Sequence, residues 1–185
     1  MNKIETYLNG FVFGAVFPIL LFLAGWWTSF LFRVPENRIF IFVLTGLASG
    51  LLIDVFLLKK WMKHIYDIDS KILMMIYMFY AVGFFGFFMG VPVFNIILGI
   101  FAGVHLGRKS RHFNLSEETV NKVIRSGSLF TALVMGLICI GSAYFALKDP
   151  YTAANLRGMF KIHFEITHKM LLGLIVFGGV FLVAI

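Results

Sequence analysis

The chain has 185 residues, of which 60% are hydrophobic and 14% charged, with 23 phenylalanines and a formal net charge of +7. At a mean hydropathy of +0.92 a soluble domain would expose far more apolar surface than water tolerates, so lipid must be the solvent for most of it. Long unbroken apolar runs exclude the alternation of a transmembrane barrel, and the lone Cys139 excludes an intrachain disulfide framework. The expected fold class is all-α: one membrane domain over 1–185, a polytopic integral membrane bundle of six transmembrane helices with short interfacial helices.

Apolar runs near the length of a bilayer crossing mark the spans. The first covers 11–32, interrupted by Pro18, and is too long for a signal-peptide core, so it reads as a retained helix. After a polar turn from Arg33 to Arg38 the second covers 39–58. The third, 72–89, and the fourth, 92–107, are separated by Gly90-Val91-Pro92, where glycine frees the backbone after one helix and proline suits the first turn of the next. A tight antiparallel hairpin is expected there. A loop over 108–127 follows, in which Asn114 and Glu117 fit a capping box ahead of Val120, Val123 and Ile124, a short helix lying on the membrane. The fifth span is 128–147, and 148–165 is a loop or interfacial helix with Asp149-Pro150 as its cap and first position. Met170 to Ile185 gives only about 24 Å of helix against a core of about 30 Å, so the sixth span is placed at 166–185.

Positive residues near the span ends set the orientation. Lys3, Lys59, Lys60, Lys63, Lys71, Arg108, Lys109, Arg111, Lys122 and Arg125 fall on one side, and Arg33, Arg38, Lys148, Arg157, Lys161 and Lys169 on the other. Both termini are therefore expected to be cytoplasmic, with 108–127 a cytoplasmic loop and 148–165 outside. The basic residues hug helix ends, which implies anionic headgroups as partners and no nucleic acid.

Small residues four apart recur at Gly10 and Gly14, Gly46 and Gly50, Gly86 and Gly90, and Gly99, Gly103 and Gly107. Lipid gives helices no hydrophobic reason to associate, so close approach through small residues is a main source of packing energy. Gly46, Gly50, Gly99, Gly103 and Gly107 are the expected helix-packing positions. The same ridges suit a membrane-protein partner or a second copy of the chain.

Asp54 is the leading functional candidate, since it shares a helical stripe with Gly46 and Gly50 inside an apolar run. A charge at the centre of a membrane helix costs about 3 kcal/mol on insertion scales, so such a carboxylate must be paired, hydrated or protonated. It is either an ion or substrate ligand or the partner of the Lys59, Lys60, Lys63 cluster. Tyr80, Asn95 and His105 join it as candidate substrate- or ion-binding residues, although His105 faces away from the Gly99 ridge by helical arithmetic. A second polar cluster, Arg157, His163, Glu165 and His168, invites an acid–base reading. His163 and His168 are five residues apart and diverge on a helix, so no metal site follows. Nucleotide-binding, nucleophile-elbow and haem or zinc motifs are absent, which leaves any cofactor unknown.

The glycine-rich segments Leu44 to Asp54 and Ile97 to Gly103 resemble spans of the substrate-binding subunits of energy-coupling vitamin transporters. That resemblance covers these fragments and the general size and layout, and it implies a small solute-binding membrane subunit. Three functions are therefore carried forward. They are a transport or solute-binding membrane subunit with an intramembrane carboxylate, a membrane-embedded enzyme acting on a lipid or small apolar substrate, and an assembly or regulatory subunit of a membrane complex.

Overall fold

A computed structural model describes residues 3–88, 90–159, 161 and 163–185. It is all-helical, with no strand among the described residues, and divides into two compact units, Met1–Asp69 and Ser70–Ile185. Among the described residues four helical stretches are long and apolar enough to cross a membrane: Thr6–Leu31, Glu36–Lys63, Ser70–Phe87 and Glu117–Lys148. His168–Ala184 is a shorter apolar helix.

The first unit holds α1 (Lys3–Gly14), α2 (Val16–Leu31) and α3 (Glu36–Lys63). The first two are one apolar stretch broken at Ala15. Pro18 explains the break, because it has no N–H to donate to the Gly14 carbonyl and its ring crowds the preceding turn. The ladder resumes around it, with the Ala15 N–H on the Phe11 carbonyl at 3.0 Å and the Ile19 N–H on the Ala15 carbonyl at 3.1 Å. Both α1 and α2 pack on α3.

The α2–α3 contact is backbone against backbone. A Cβ built on Gly50 would fall 2.5 Å from the Pro18 Cα, one on Gly25 would fall 2.5 Å from the Phe42 carbonyl oxygen, and one on Gly46 would run into the Leu21 carbonyl. No side chain larger than hydrogen fits at these three positions without moving a helix. Trp61 of α3 then meets Phe17 of α2, ring centroids 5.4 Å apart, at the end of the seam nearer the α3 C-terminus.

The second unit begins with α4 (Ser70–Phe87), a 3₁₀ turn (Pro92–Asn95) and α5 (Ile96–His112). Gly90 takes a φ of 82° and donates its N–H to the Phe85 carbonyl at 2.7 Å, closing α4 in the left-handed manner that glycine permits. Pro92 opens the 3₁₀ turn. α6 (Glu117–Lys148) packs against α4, the 3₁₀ turn, α5 and α8 (His168–Ala184).

Three boundaries differ from the sequence reading. Residues 117–127, expected in a separate short helix, form the first turns of the 32-residue α6, whose N-cap position is Ser116. Asn114 instead turns the chain with a φ of 47°, a left-handed conformation that asparagine tolerates better than most residues. Beyond α6, the Asp149 carboxylate accepts the Tyr151 N–H at 3.0 Å and leads into α7 (Thr152–Met159). Residues 163–167 are not helical, and α8 starts only at His168, with the Thr167 hydroxyl accepting the Met170 N–H at 3.4 Å. α7 and α8 are thus separate helices, while Phe160 and Ile162 lie outside the described residues.

Polarity is inverted relative to a water-soluble protein. Phe56, Phe87 and Phe177 are about four-fifths exposed, whereas Asn9, Ser29, Asn95, His105 and Ser110 are buried. In water the exposed apolar surface would be far outside the range of monomeric proteins. An apolar surface around small polar interiors, together with the four long apolar helices, is consistent with a membrane protein.

Candidate functional site

Asp54 projects from the third-last turn region of α3 towards Gly14 of α1. A Cβ on Gly14 would sit 3.0 Å from Leu58 Cδ2 and 3.7 Å from Asp54 Oδ2. The stripe shared with Gly46 and Gly50 therefore divides its work along α3. Its N-terminal part meets α2, and its C-terminal part turns a half-buried carboxylate to α1.

Between α1 and α3 lies an open groove of about 590 Å³, lined by Thr6 and Gly10 on one side and by Asp54, Val55, Leu58, Lys59, Met62 and Lys63 on the other. Its chemistry is graded. At about 100° per residue, Leu58, Met62 and Val55 lie about 40°, 80° and 100° around α3 from Asp54, and Lys59 and Lys63 lie about 140° and 180° away. Around α3 the carboxylate, the three apolar side chains and the two lysines thus follow one another in that order along one wall of the groove.

The acid and the lysines do not neutralise each other. Neighbouring side chains on a helix are three or four residues apart, and those positions around Asp54 are Gly50, Leu51, Leu57 and Leu58. Lys59, Lys60 and Lys63 follow at five, six and nine residues. Among the described residues Asp54 has neither a hydrogen bond nor an ion pair. Pro18 adds a polar group nearby, since it leaves the Gly14 carbonyl without its i+4 donor.

Tyr80, Asn95 and His105 belong to the second unit. Asn95 is 1% exposed, and its Nδ2 donates to the Ala81 carbonyl at 3.4 Å while Oδ1 accepts from no donor among the described residues. Tyr80, adjacent to that carbonyl, is packed edge-on against Phe79 and Phe84, at ring separations of 5.4 and 6.4 Å. His105 is buried and stacks along its own helix on Phe101, centroids 6.2 Å apart. Across α5 from it, a Cβ on Gly99, Gly103 or Gly107 would meet no atom within 4 Å.

The second polar cluster is spread over several elements. Arg157 is exposed on α7, His163 and Glu165 are exposed on the non-helical stretch, and His168 opens α8. Because residues 163–167 are not helical, the stripe of Lys161, Glu165 and His168 that a helix would align does not form. No group of three or more His, Cys, Asp or Glu side chains able to hold a metal is present among the described residues.

Thr6 and Gly10 of α1 were not expected at the site, and Lys59 and Lys63, read as possible ion-pair partners of Asp54, line the groove without pairing to it. The sequence does not assign α1 as the facing helix, although the Gly10 and Gly14 pair was the available signal. No protein-family model, curated protein or solved structure matches the chain.

Proposed function

We propose that the chain is a small transport or solute-binding membrane subunit whose solute site is the α1–α3 groove around Asp54. The observation that carries this reading is a half-buried carboxylate opening into a groove that also bears two lysines, with no ion pair to Asp54 among the described residues. An intramembrane carboxylate left without a protein partner costs free energy that a bound solute, ion or proton recovers. Residues retained at such a cost are functional candidates by default.

Six spans complete the reading. Beyond the four long apolar stretches, α5 with its preceding 3₁₀ turn adds about 33 Å of length, and α8 adds about 25 Å, which modest local thinning of the bilayer accommodates. Both termini are cytoplasmic in this arrangement, from the excess of Lys and Arg on that side, and Lys59 and Lys63 meet the headgroup layer. The enzyme alternative gains nothing from the second polar cluster, whose four residues stand on three separate segments.

The test is a solute and ion screen by thermal unfolding of the purified chain, comparing the wild type with Asp54→Asn. A ligand at a hundredfold excess over its Kd stabilises by about 2.7 kcal/mol, which is a rise of several degrees for a protein of this size. The expected result is that at least one solute raises the melting temperature of the wild type and not of Asp54→Asn, with the two unliganded values equal. Equal responses in both proteins would overturn the assignment.

A further inference from the structure

Resting on that reading of the groove as a solute site, we infer that its ligand is a small zwitterionic solute with an apolar body, bound amine first. The charges in the groove are ordered along α3. Lys59 and Lys63 lie about 7.5 Å and about 13.5 Å beyond Asp54 along the helix axis, toward its C-terminal end. An anion on the lysines alone would leave the Asp54 carboxylate in the same groove without a counter-charge. A bare cation on Asp54 would sit in the field of both lysines. A molecule with a protonated amine at one end and a carboxylate at the other satisfies both the acid and the lysines, and Val55, Leu58 and Met62 receive an apolar middle.

The order of the charges also separates a solute from a bilayer lipid. In an ethanolamine phospholipid at rest in a leaflet, the amine lies outside the phosphate and the acyl chains lie inside it. The groove has the reverse order, with its acid further from the helix end than its lysines. A ligand that enters amine first and leaves its anionic end toward the lysines matches it. With Asp54 more than 4.0 Å from either ammonium, since no ion pair forms, the ligand carries its two charges on separate groups, as a free α-amino acid or a dipeptide with apolar side chains does. The groove volume of about 590 Å³ admits either.

Gly10 supplies a control that does not touch the charges. A Cβ there meets nothing within 4 Å, so a larger side chain grows into the groove and leaves the helix contacts in place. Gly10→Leu is a plug.

The experiment uses the full chain in nanodiscs of phosphatidylcholine and measures binding of tritiated leucine and leucyl-leucine. Competition is read with the unlabelled parent compounds, N-acetyl-leucyl-leucine, leucyl-leucine amide, sodium chloride and phosphatidylethanolamine vesicles. At least one parent compound is expected to bind and to compete at least tenfold better than either blocked derivative. Asp54→Asn should abolish the advantage over the N-acetyl compound, Lys59→Gln with Lys63→Gln the advantage over the amide, and Gly10→Leu all binding. Equal competition by the blocked derivatives, displacement by sodium or by the lipid, or no binding of either parent compound would overturn the inference. If the thermal screen meanwhile finds an Asp54-dependent solute of another class, the solute-site reading stands and only the zwitterion falls.

Discussion

In the first unit Gly25, Gly46 and Gly50 bring two helix backbones into direct contact, and a Cβ on Gly50 would lie 2.5 Å from the Pro18 Cα. In the second unit Gly99, Gly103 and Gly107 repeat the same four-residue spacing along α5 and face no atom within 4 Å. α5 packs through another side, where Leu98 and His105 are buried. The spacing of small residues thus marks where a helix permits close approach, and the neighbour decides whether the approach occurs. In α3 the permission is used twice over. Two glycines seat Pro18 and Leu21, and one further turn along the same stripe Asp54 looks onto Gly14 of α1. Site and seam share a face, so tight α2–α3 packing fixes the azimuth of the carboxylate.

The largest effect expected from this contrast is at Gly46. Its added methyl would run into the Leu21 carbonyl, a backbone atom inside a helix that no rotamer change can move aside. Overpacking of this kind costs about 1–3 kcal/mol and more when backbone must shift, so Gly46→Ala should lower stability by about 3 kcal/mol or more, read by denaturant or thermal unfolding in one detergent. The variant should also weaken Asp54-dependent ligand stabilisation, because α3 must rotate or withdraw. Stability within about 0.5 kcal/mol of the wild type, the usual range for a surface substitution, would break the comparison at its strong end.

Much of the architecture was legible because long apolar helices write their limits in hydropathy and turn chemistry. Gly90 and Pro92 punctuate the α4–α5 turn, and Asp149 accepts the N–H of Tyr151 ahead of α7. The start of α6 was harder to read because two N-terminal signals overlap, Asn114 with Glu117 and Ser116 with the same acidic first turn. Ser116 adopts the extended conformation of an N-cap, φ −62° and ψ 153°, and Asn114 takes the turn. At the candidate site the shared stripe of Gly46, Gly50 and Asp54 was readable, but which helix lies opposite is a property of the fold. Gly25, which sits in the same close seam, pairs with the buried Ser29 four residues on, a small-residue signal that a search for glycines alone passes over.

Two substitutions in the second unit sharpen the lower end of the scale. A Cβ on Gly127 would lie 2.5 Å from Leu106 Cδ1, the tip of a flexible side chain. Leucine can change rotamer at a cost of about 1 kcal/mol, and replacing a helical glycine by alanine returns about 0.8–1.0 kcal/mol. Gly127→Ala should therefore leave stability within about 1 kcal/mol of the wild type. A loss as large as that at Gly46 would mean that Leu106 is held as firmly as backbone. Gly103→Ala is the smallest and most diagnostic case. Its methyl enters open space, so only the helix-propensity term acts, and a gain of up to about 1 kcal/mol is expected. The same measurement on a concentration series decides what covers the ridge. A gain independent of protein concentration fits lipid, which yields to a methyl group. A loss that grows as the protein is concentrated means that another polypeptide uses the glycines of α5 as α2 uses those of α3, because only an association equilibrium makes a small steric change depend on concentration.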